Sequence, residues 1–256
     1  MTIDALPVRQ ARNRTLIVLI LDTSSSMGHT GAIGELNDAL QKWCAELRGN
    51  DALQMAGEIA MITFGKDHVM AVDPSGRVGG HTPRPFVPLR DFDPPELQSG
   101  GVTPMVEAIQ YALEVLSVRK RELTAEGLGL AYRPMLHLIT DGVPTDEKGN
   151  RTDRWRDVAA VLRQHEAGKH LLFFALGVRG ADQEVLSGLA PKAWYLLGDT
   201  NFGKVLRLVS TSIGSAQAES RDAPAEIIYD HFQRDNKKNE EMRRWLDDEG
   251  VSSDGR

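Results

Sequence analysis

Residues 16–28 read Leu-Ile-Val-Leu-Ile-Leu-Asp-Thr-Ser-Ser-Ser-Met-Gly, an apolar run that ends in a carboxylate and a series of hydroxyls. The run is too short for a helix and lacks a 3.6-residue period, so it predicts a strand buried on both faces. Asp22 then lies at the carboxyl end of that strand, where open α/β sheets bind ligands. Asp22, Ser24 and Ser26 alternate, which lets a turning loop direct their oxygens to one point, as a hard cation such as Mg²⁺ requires. Taken alone, this segment is more typical of a turn or a helix N-cap.

Size and charge limit the classes of function. The chain has 256 residues, of which 41% are hydrophobic, and a formal net charge of −6. One large domain with extensions is therefore expected, and a nucleic-acid-binding surface or a membrane patch is disfavoured as the main site, although a local basic patch remains open. Cys44 is the only cysteine, which excludes an internal disulfide and a thiolate metal site. With no apolar run near the ~20 residues of a membrane span, we expect a cytosolic protein.

Further apolar segments alternate between strand-like and helix-like patterns along the chain. Strands are predicted at residues 58–64, 69–72, 86–89, 135–140, 170–176 and 194–197, and helices at residues 33–47, 104–124, 153–166, 182–189 and 201–213. This alternation predicts an α/β fold with a doubly wound, mostly parallel sheet flanked by helices.

The chain divides by composition into three parts. Residues 1–13 are predicted to be a flexible leader, residues 14–213 a single domain, and residues 214–256 a charged tail that is partly helical or disordered. Such a tail is usually solvated or orders on binding a partner. Because few apolar residues lie beyond Ser215, deletion of the residues after about Ser215 is expected to leave the core stable.

Two later segments repeat the polar character of the Asp22 loop. Thr103 follows two glycines just before a predicted helix, where it would also suit an N-cap. Asp141 follows a second buried strand and precedes a glycine, as if repeating the position of Asp22. The carboxyl ends of strands are where open α/β sheets bind ligands, so Asp141 is a second candidate site residue beside Asp22.

These three segments, in this order, resemble the metal-ion-dependent adhesion site of von Willebrand factor A (vWA) domains. The resemblance covers approximately residues 14–213 and matches all five motif positions. It implies the Rossmann-like vWA fold and a site in which the metal serves recognition.

The resemblance also implies a role for each motif residue. Ser24, Ser26 and Thr103 would be direct hydroxyl ligands of Mg²⁺, or of Mn²⁺ where that ion is present. Asp22 and Asp141 would hold coordinated waters and balance the charge. An Asp or Glu of a protein partner would complete the coordination, so no catalytic residue is expected. The partner-binding rim would comprise His29, Pro104, Gly142 and Asp146.

Within the family, residues 91–104 and 138–146 resemble the bacterial TerY-like branch. Proteins of that branch are associated with tellurite and other stress responses and are often encoded beside a protein kinase and a PP2C-type phosphatase. The alternative is a vWA adaptor subunit for a MoxR- or chelatase-type AAA⁺ ATPase. The neighbouring genes would discriminate between the two.

Enzyme classes that share parts of this pattern fit less well. A haloacid-dehalogenase-like phosphotransferase needs a second Asp where this chain has Ser24. The phosphate-binding loop Gly-x-x-x-x-Gly-Lys-Ser/Thr and the nucleophile motif Gly-x-Ser-x-Gly are absent from the sequence. A hydrolase that used Ser24 or Ser26 would need a base that the sequence does not identify.

Overall fold

A computed structural model describes residues 13–197, 201–219, 221–234 and 237. The strands are β1 (Asn13–Thr23), β2 (Gly57–Gly65), β3 (His68–Val72), β4 (Phe86–Pro88), β5 (Gly129–Leu130), β6 (Met135–Thr140), β7 (Leu172–Gly177) and β8 (Trp194–Leu196). The helices are α1 (Ser25–His29), α2 (Ala32–Leu47), α3 (Asp51–Ala56), α4 (Met105–Ala125), α5 (Trp155–Ala167), α6 (Gln183–Leu189) and α7 (Phe202–Gln217). None of these described helices is both long enough and apolar enough to cross a membrane.

The strands form one sheet in the order β3-β2-β1-β6-β7-β8. β2, β1, β6, β7 and β8 run parallel, while β3 and β4 pair antiparallel with β2. The short β5 pairs in parallel with the first residues of β1. The predicted α/β fold with a mostly parallel, helix-flanked sheet is confirmed. The direction of winding reverses between β1 and β6, and such a switch point opens a crevice at the carboxyl ends of the strands.

The apolar run of β1 forms the centre of the core. Leu16 through Leu21 have no exposed surface, because β2 and β6 cover both edges of β1 and helices cover the sheet. α4 packs on β1 and β2, and α2 packs against α7. The register pairs Leu21 with Ile139 of β6, so Asp22 emerges beside the end of β6.

Two short α-helices and one short strand were not predicted from the sequence, nor was a 3₁₀ turn at Leu89–Asp91. α1 begins at Ser25 inside the segment expected to be a loop, α3 precedes β2, and β5 contributes two residues to the sheet. α1 and α3 contain five and six residues, too few for a 3.6-residue period to stand out. Asn50 marks the start of α3, since its side chain accepts a hydrogen bond from the Leu53 N–H at 3.1 Å.

The expectation that few core residues lie beyond Ser215 was wrong. Residues 225–234 are helical, and Ile228, Tyr229 and Phe232 of this C-terminal helical segment belong to the main hydrophobic core. The proposed boundary between residues 213 and 214 falls inside α7. Of the proposed leader, only Asn13 lies within the described residues, as the first residue of β1.

Candidate metal site

Asp22 lies at the carboxyl end of β1 with no exposed surface. Its Oδ1 accepts a hydrogen bond from the Ser24 N–H at 2.8 Å, and its Oδ2 accepts one from the Thr140 hydroxyl at 2.5 Å. The Thr140 hydroxyl in turn accepts from the Gly142 N–H at 3.0 Å. The carboxylate is therefore held rigidly between the ends of two neighbouring strands.

Ser24, Ser26 and Asp141 form a chain of hydrogen bonds beside Asp22. The Ser24 and Ser26 Oγ atoms are 3.0 Å apart, and the Ser26 hydroxyl donates to Asp141 Oδ1 at 2.7 Å. Ser24 occupies the N-cap position of α1, but its side chain makes no capping bond. Its hydroxyl is directed toward Ser26 instead, so the N-cap interpretation explains its position and not the orientation of its hydroxyl.

Thr103 joins the same cluster from the loop that precedes α4. The alternative role of Thr103 as the cap of this helix does not hold, because Pro104 occupies the N-cap position. A β-carbon built on Gly142 would lie 3.4 Å from Asp22 Oδ2 and 3.6 Å from Thr103 Oγ1, so the glycine leaves space between these two oxygens. The Thr103 hydroxyl makes no hydrogen bond within the described part of the chain, which leaves it available to a ligand.

Backbone contacts fix the loops that carry these side chains. The Gly101 carbonyl accepts hydrogen bonds from both the N–H and the hydroxyl of Ser25, at 3.1 and 2.9 Å. The Gly100 N–H donates to the Thr23 carbonyl at 2.8 Å. Gly101 has a left-handed φ of +73°, and a β-carbon there would approach the Gly65 carbonyl oxygen to 2.3 Å. Only glycine fits this position.

Substituting Gly101 by alanine is therefore expected to destabilise the protein by at least about 2 kcal/mol, through backbone strain and the clash with Gly65. Gly100→Ala is the matched control, because its nearest new contact is 3.6 Å from the Lys66 side chain. Urea unfolding of the two variants measures the difference. Equal stability would show that the loop relaxes and that the close approach of Gly101 is dispensable.

Burial raises the pKa values of both carboxyl groups of the cluster, Asp22 and Asp141. Desolvation raises the pKa of Asp22 to about 6 despite the hydrogen bonds from Ser24 and Thr140, and the nearby Asp141 adds to the rise. Burial also raises the pKa of Asp141, against the hydrogen bond from Ser26. A cation in the cluster would favour the ionised form of both groups.

The four proposed rim residues differ in their surroundings. His29 is exposed at the end of α1, and Gly142 is half-buried beside Asp22, whereas Pro104 is buried and cannot offer contact surface. Asp146 Oδ1 accepts from the N–H groups of Lys148 and Asn150 at 2.9 and 2.8 Å. Asp146 thus shapes its own loop, and it does not cap α5, whose N-cap is Arg154.

Sequence reasoning missed two supporting residues, Thr140 and Thr145. Thr140 bonds Asp22 directly, while the Thr145 hydroxyl accepts from the Thr103 N–H at 2.8 Å and the Thr145 N–H donates to the Thr103 carbonyl at 2.9 Å. The available signal for Thr140 was a hydroxyl at the end of a buried strand, next to Asp141. For Thr145, no pattern indicated a contact with a residue 42 positions earlier.

The chemistry of this donor set suits a hard divalent cation. Three hydroxyls and two carboxylates lie in one cluster, and oxygen ligands of this kind are typical of Mg²⁺ and Mn²⁺. Elsewhere in the described residues, no group of three or more His, Cys, Asp or Glu side chains is placed to hold a metal. The cluster around Asp22 is therefore the candidate metal site.

Comparisons with known proteins point to the same part of the chain. A family model for the von Willebrand factor type A domain matches residues 17–211. Two structures of proximal thread matrix protein 1 from the mussel byssus match with TM-scores of 0.52 and 0.53, each at 16% identity. These matches cover 77% and 78% of this chain but 45% and 48% of the mussel chain, so this chain spans slightly less than half of its length.

A third solved structure matches at a lower score. The manganese-loaded TRAP protein of Plasmodium vivax has a TM-score of 0.45 at 20% identity, over 76% of this chain and 72% of that chain. No curated protein sequence matches this chain. At 16% identity the two mussel structures show a common fold, and the family model shows the family.

Proposed function

The chain belongs to the von Willebrand factor type A family, and we propose that it is a metal-dependent protein-interaction module. Ser24, Ser26 and Thr103 would coordinate Mg²⁺ or Mn²⁺, while Asp22 and Asp141 would hold coordinated waters and balance its charge. The bound cation would supply a coordination position for an Asp or Glu side chain of a protein partner. Neutral hydroxyl ligands favour this role, because they leave the cation able to attract a further carboxylate.

The observation that carries this proposal is the meeting of three distant segments at the switch point of the sheet. The hydrogen bond from Ser26 to Asp141 joins residues 115 positions apart, and the bond from Thr140 to Asp22 joins residues 118 positions apart. Satisfied turn residues would bond within their own loops, as Asp146 does. The cluster instead concentrates oxygen atoms from three loops at a sheet edge where ligands bind.

We propose binding rather than catalysis at this site. Within the described residues, the hydroxyls of Ser24 and Ser26 bond to each other, and the Ser26 hydroxyl donates to Asp141. No histidine or lysine of the described chain contacts them to act as the base that activates a serine nucleophile. The same oxygens are well placed as metal ligands.

The narrower proposal is a TerY-like role in a bacterial stress-response or defence signalling system, in the cytosol, together with a protein kinase and a PP2C-type phosphatase. The proposal is supported by the sequences of residues 91–104 and 138–146, which resemble that branch and contain Thr103 and Asp141. An adaptor role for an AAA⁺ ATPase has no comparable support in the structure.

A pull-down from the native host tests the metal-dependent interaction. Wild type with Mg²⁺ is expected to capture a partner that is released by EDTA and that the Ser26→Ala variant fails to capture. Ser25→Ala is the control, since the Ser25 hydroxyl bonds to the Gly101 carbonyl and not to the cluster. Capture that is indifferent to EDTA and to Ser26→Ala would overturn the proposal and place binding on another surface.

A further inference from the structure

A second surface feature lies between α4 and α5, at the amino ends of the strands and opposite the metal site. It is an open groove of about 450 Å³ with an apolar floor that includes Leu113, Leu116 and Leu171. The groove is also lined by Lys120, Arg121, His165 and His170, and no Asp or Glu of the described residues contributes to the lining. In a chain of net charge −6, such a one-sided distribution of charge indicates an anionic ligand.

The basic side chains of the groove are close to one another and lack acidic partners. The rings of His165 and His170 have centroids 5.9 Å apart, and the Lys120 ammonium lies 3.5 Å from the His170 carbonyl oxygen. Among the described residues, neither these three nor Arg121 forms an ion pair with a carboxylate. Other surface cations of the domain do form such pairs, as Arg156 does with Glu184 at 2.6 Å.

The positions of these residues are not explained by helix ends alone. A cation near a helix C-terminus is stabilised by the backbone dipoles, and His165 lies in the last turn of α5. α4, however, has no basic residue in its last turn. Lys120 and Arg121 precede that turn, so compensation of the helix dipole leaves them unaccounted for.

Burial, and secondly the neighbouring positive charges, lower the pKa values of two groups in the groove. Desolvation, with a contribution from the nearby Arg221, lowers the pKa of Lys120. Desolvation also lowers the pKa of His165, and the neighbouring His170 and Lys120 lower it further. An anion bound among these groups would reverse the effect of the neighbouring cations and favour the charged forms.

We propose that this groove binds a phosphorylated side chain of a partner protein. A phosphate monoester carries up to two negative charges and three acceptor oxygens, which match an ammonium, two imidazoles and a guanidinium facing one space. A single carboxylate would leave most of these donors unused. Small-molecule sites usually enclose 70–90% of the ligand, whereas this groove is open along two surface helices, and its leucine floor can receive apolar residues that flank the phosphate.

This phosphate groove is independent of the metal site. His170 and Leu171 precede β7, so the groove lies at the amino ends of the strands and the metal cluster at the carboxyl ends. The six residues of β7 separate the two by about 20 Å at 3.3 Å per residue. Binding at the groove can therefore be measured in EDTA, where the metal site makes no contribution.

The test is an NMR titration of the full chain in EDTA, following the imidazole C–H signals of His165 and His170. The probes are a hexapeptide with one phosphoserine among leucine and alanine residues, the same peptide without phosphate, and inorganic phosphate. We expect the phosphopeptide to bind at least ten-fold more tightly than either of the others. Lys120→Gln is expected to weaken that binding by about ten-fold or more, as for loss of a hydrogen bond to a charged group.

Two further variants make the result decisive. His170→Gln, at an exposed position, is expected to weaken binding without affecting the fold, and Lys42→Gln on the exposed face of α2 is the matched control. Phosphopeptide binding that is unchanged in Lys120→Gln and His170→Gln would overturn the proposal. Equal affinity for inorganic phosphate and the phosphopeptide would also overturn it, in favour of a free phosphate ligand.

Discussion

Replacing Phe232 by alanine is expected to lower the free energy of unfolding by about 3–5 kcal/mol, the usual cost for a fully buried phenylalanine. Phe232 has no exposed surface, and its ring meets that of Phe174 at a centroid distance of 5.2 Å. Phe174 also contacts Tyr229 at 5.5 Å and stacks on His137 at 5.0 Å. The substitution would thus leave a cavity within an aromatic cluster of the main core.

Thermal unfolding measures this effect, with an expected fall in Tm of about 10 °C or more for a domain of this size. Ile227→Ala is the control, because Ile227 is 41% exposed on the same helical segment, and its truncation should change stability by about 0.5 kcal/mol or less. Deletion of residues 220–256 is expected to lower Tm at least as far as Phe232→Ala. An unchanged Tm in the deleted chain would restore the original expectation of a dispensable tail.

The C-terminal segment shows why composition alone misjudged the end of the domain. Ile228, Tyr229 and Phe232 are spaced like one face of a helix, but the dense charge around them indicated a solvated tail. Tyr229 contacts Glu166 through its hydroxyl and accepts from the Phe173 N–H at 3.1 Å. These contacts join residues 56 and 63 positions apart, and no local sequence pattern indicates them. The buried strands, by contrast, could be predicted from their continuous apolar runs.

The candidate site likewise contains residues that the sequence predicted and contacts that it did not. The sequence was sufficient to predict that Asp22 and Asp141 both lie at the carboxyl ends of strands, because each directly follows a buried apolar run. It could not show that Thr140 bonds Asp22, or that Thr145 positions Thr103 through its backbone. Those contacts depend on the order β1-β6 in the sheet and on loop conformations, neither of which a single sequence specifies.

The second large effect is expected for Thr103→Val, which exchanges a hydroxyl for a methyl group of similar size. Loss of a group that only orients a metal ligand typically lowers the affinity for the metal by about 10–100-fold. Loss of a direct ligand should therefore weaken Mg²⁺ or Mn²⁺ binding by about 100-fold or more. Isothermal titration calorimetry measures the affinity. Thr103→Ser, which retains the hydroxyl, is the matched control and is expected to bind the metal within several-fold of wild type.

Thr103→Val separates metal binding from folding better than a substitution of Asp22 does. Asp22 is fully buried and bonded to Thr140 and to the Ser24 N–H, so Asp22→Ala would disturb the sheet edge together with the site. The Thr103 hydroxyl makes no hydrogen bond in the described chain, while its backbone bonds to Thr145 persist in any variant. We therefore expect an unchanged Tm without metal and the loss of the metal-induced rise in Tm that wild type and Thr103→Ser would share. Undiminished affinity in Thr103→Val would remove Thr103 from the ligand set, and a wild type that binds neither ion would overturn the proposed function itself.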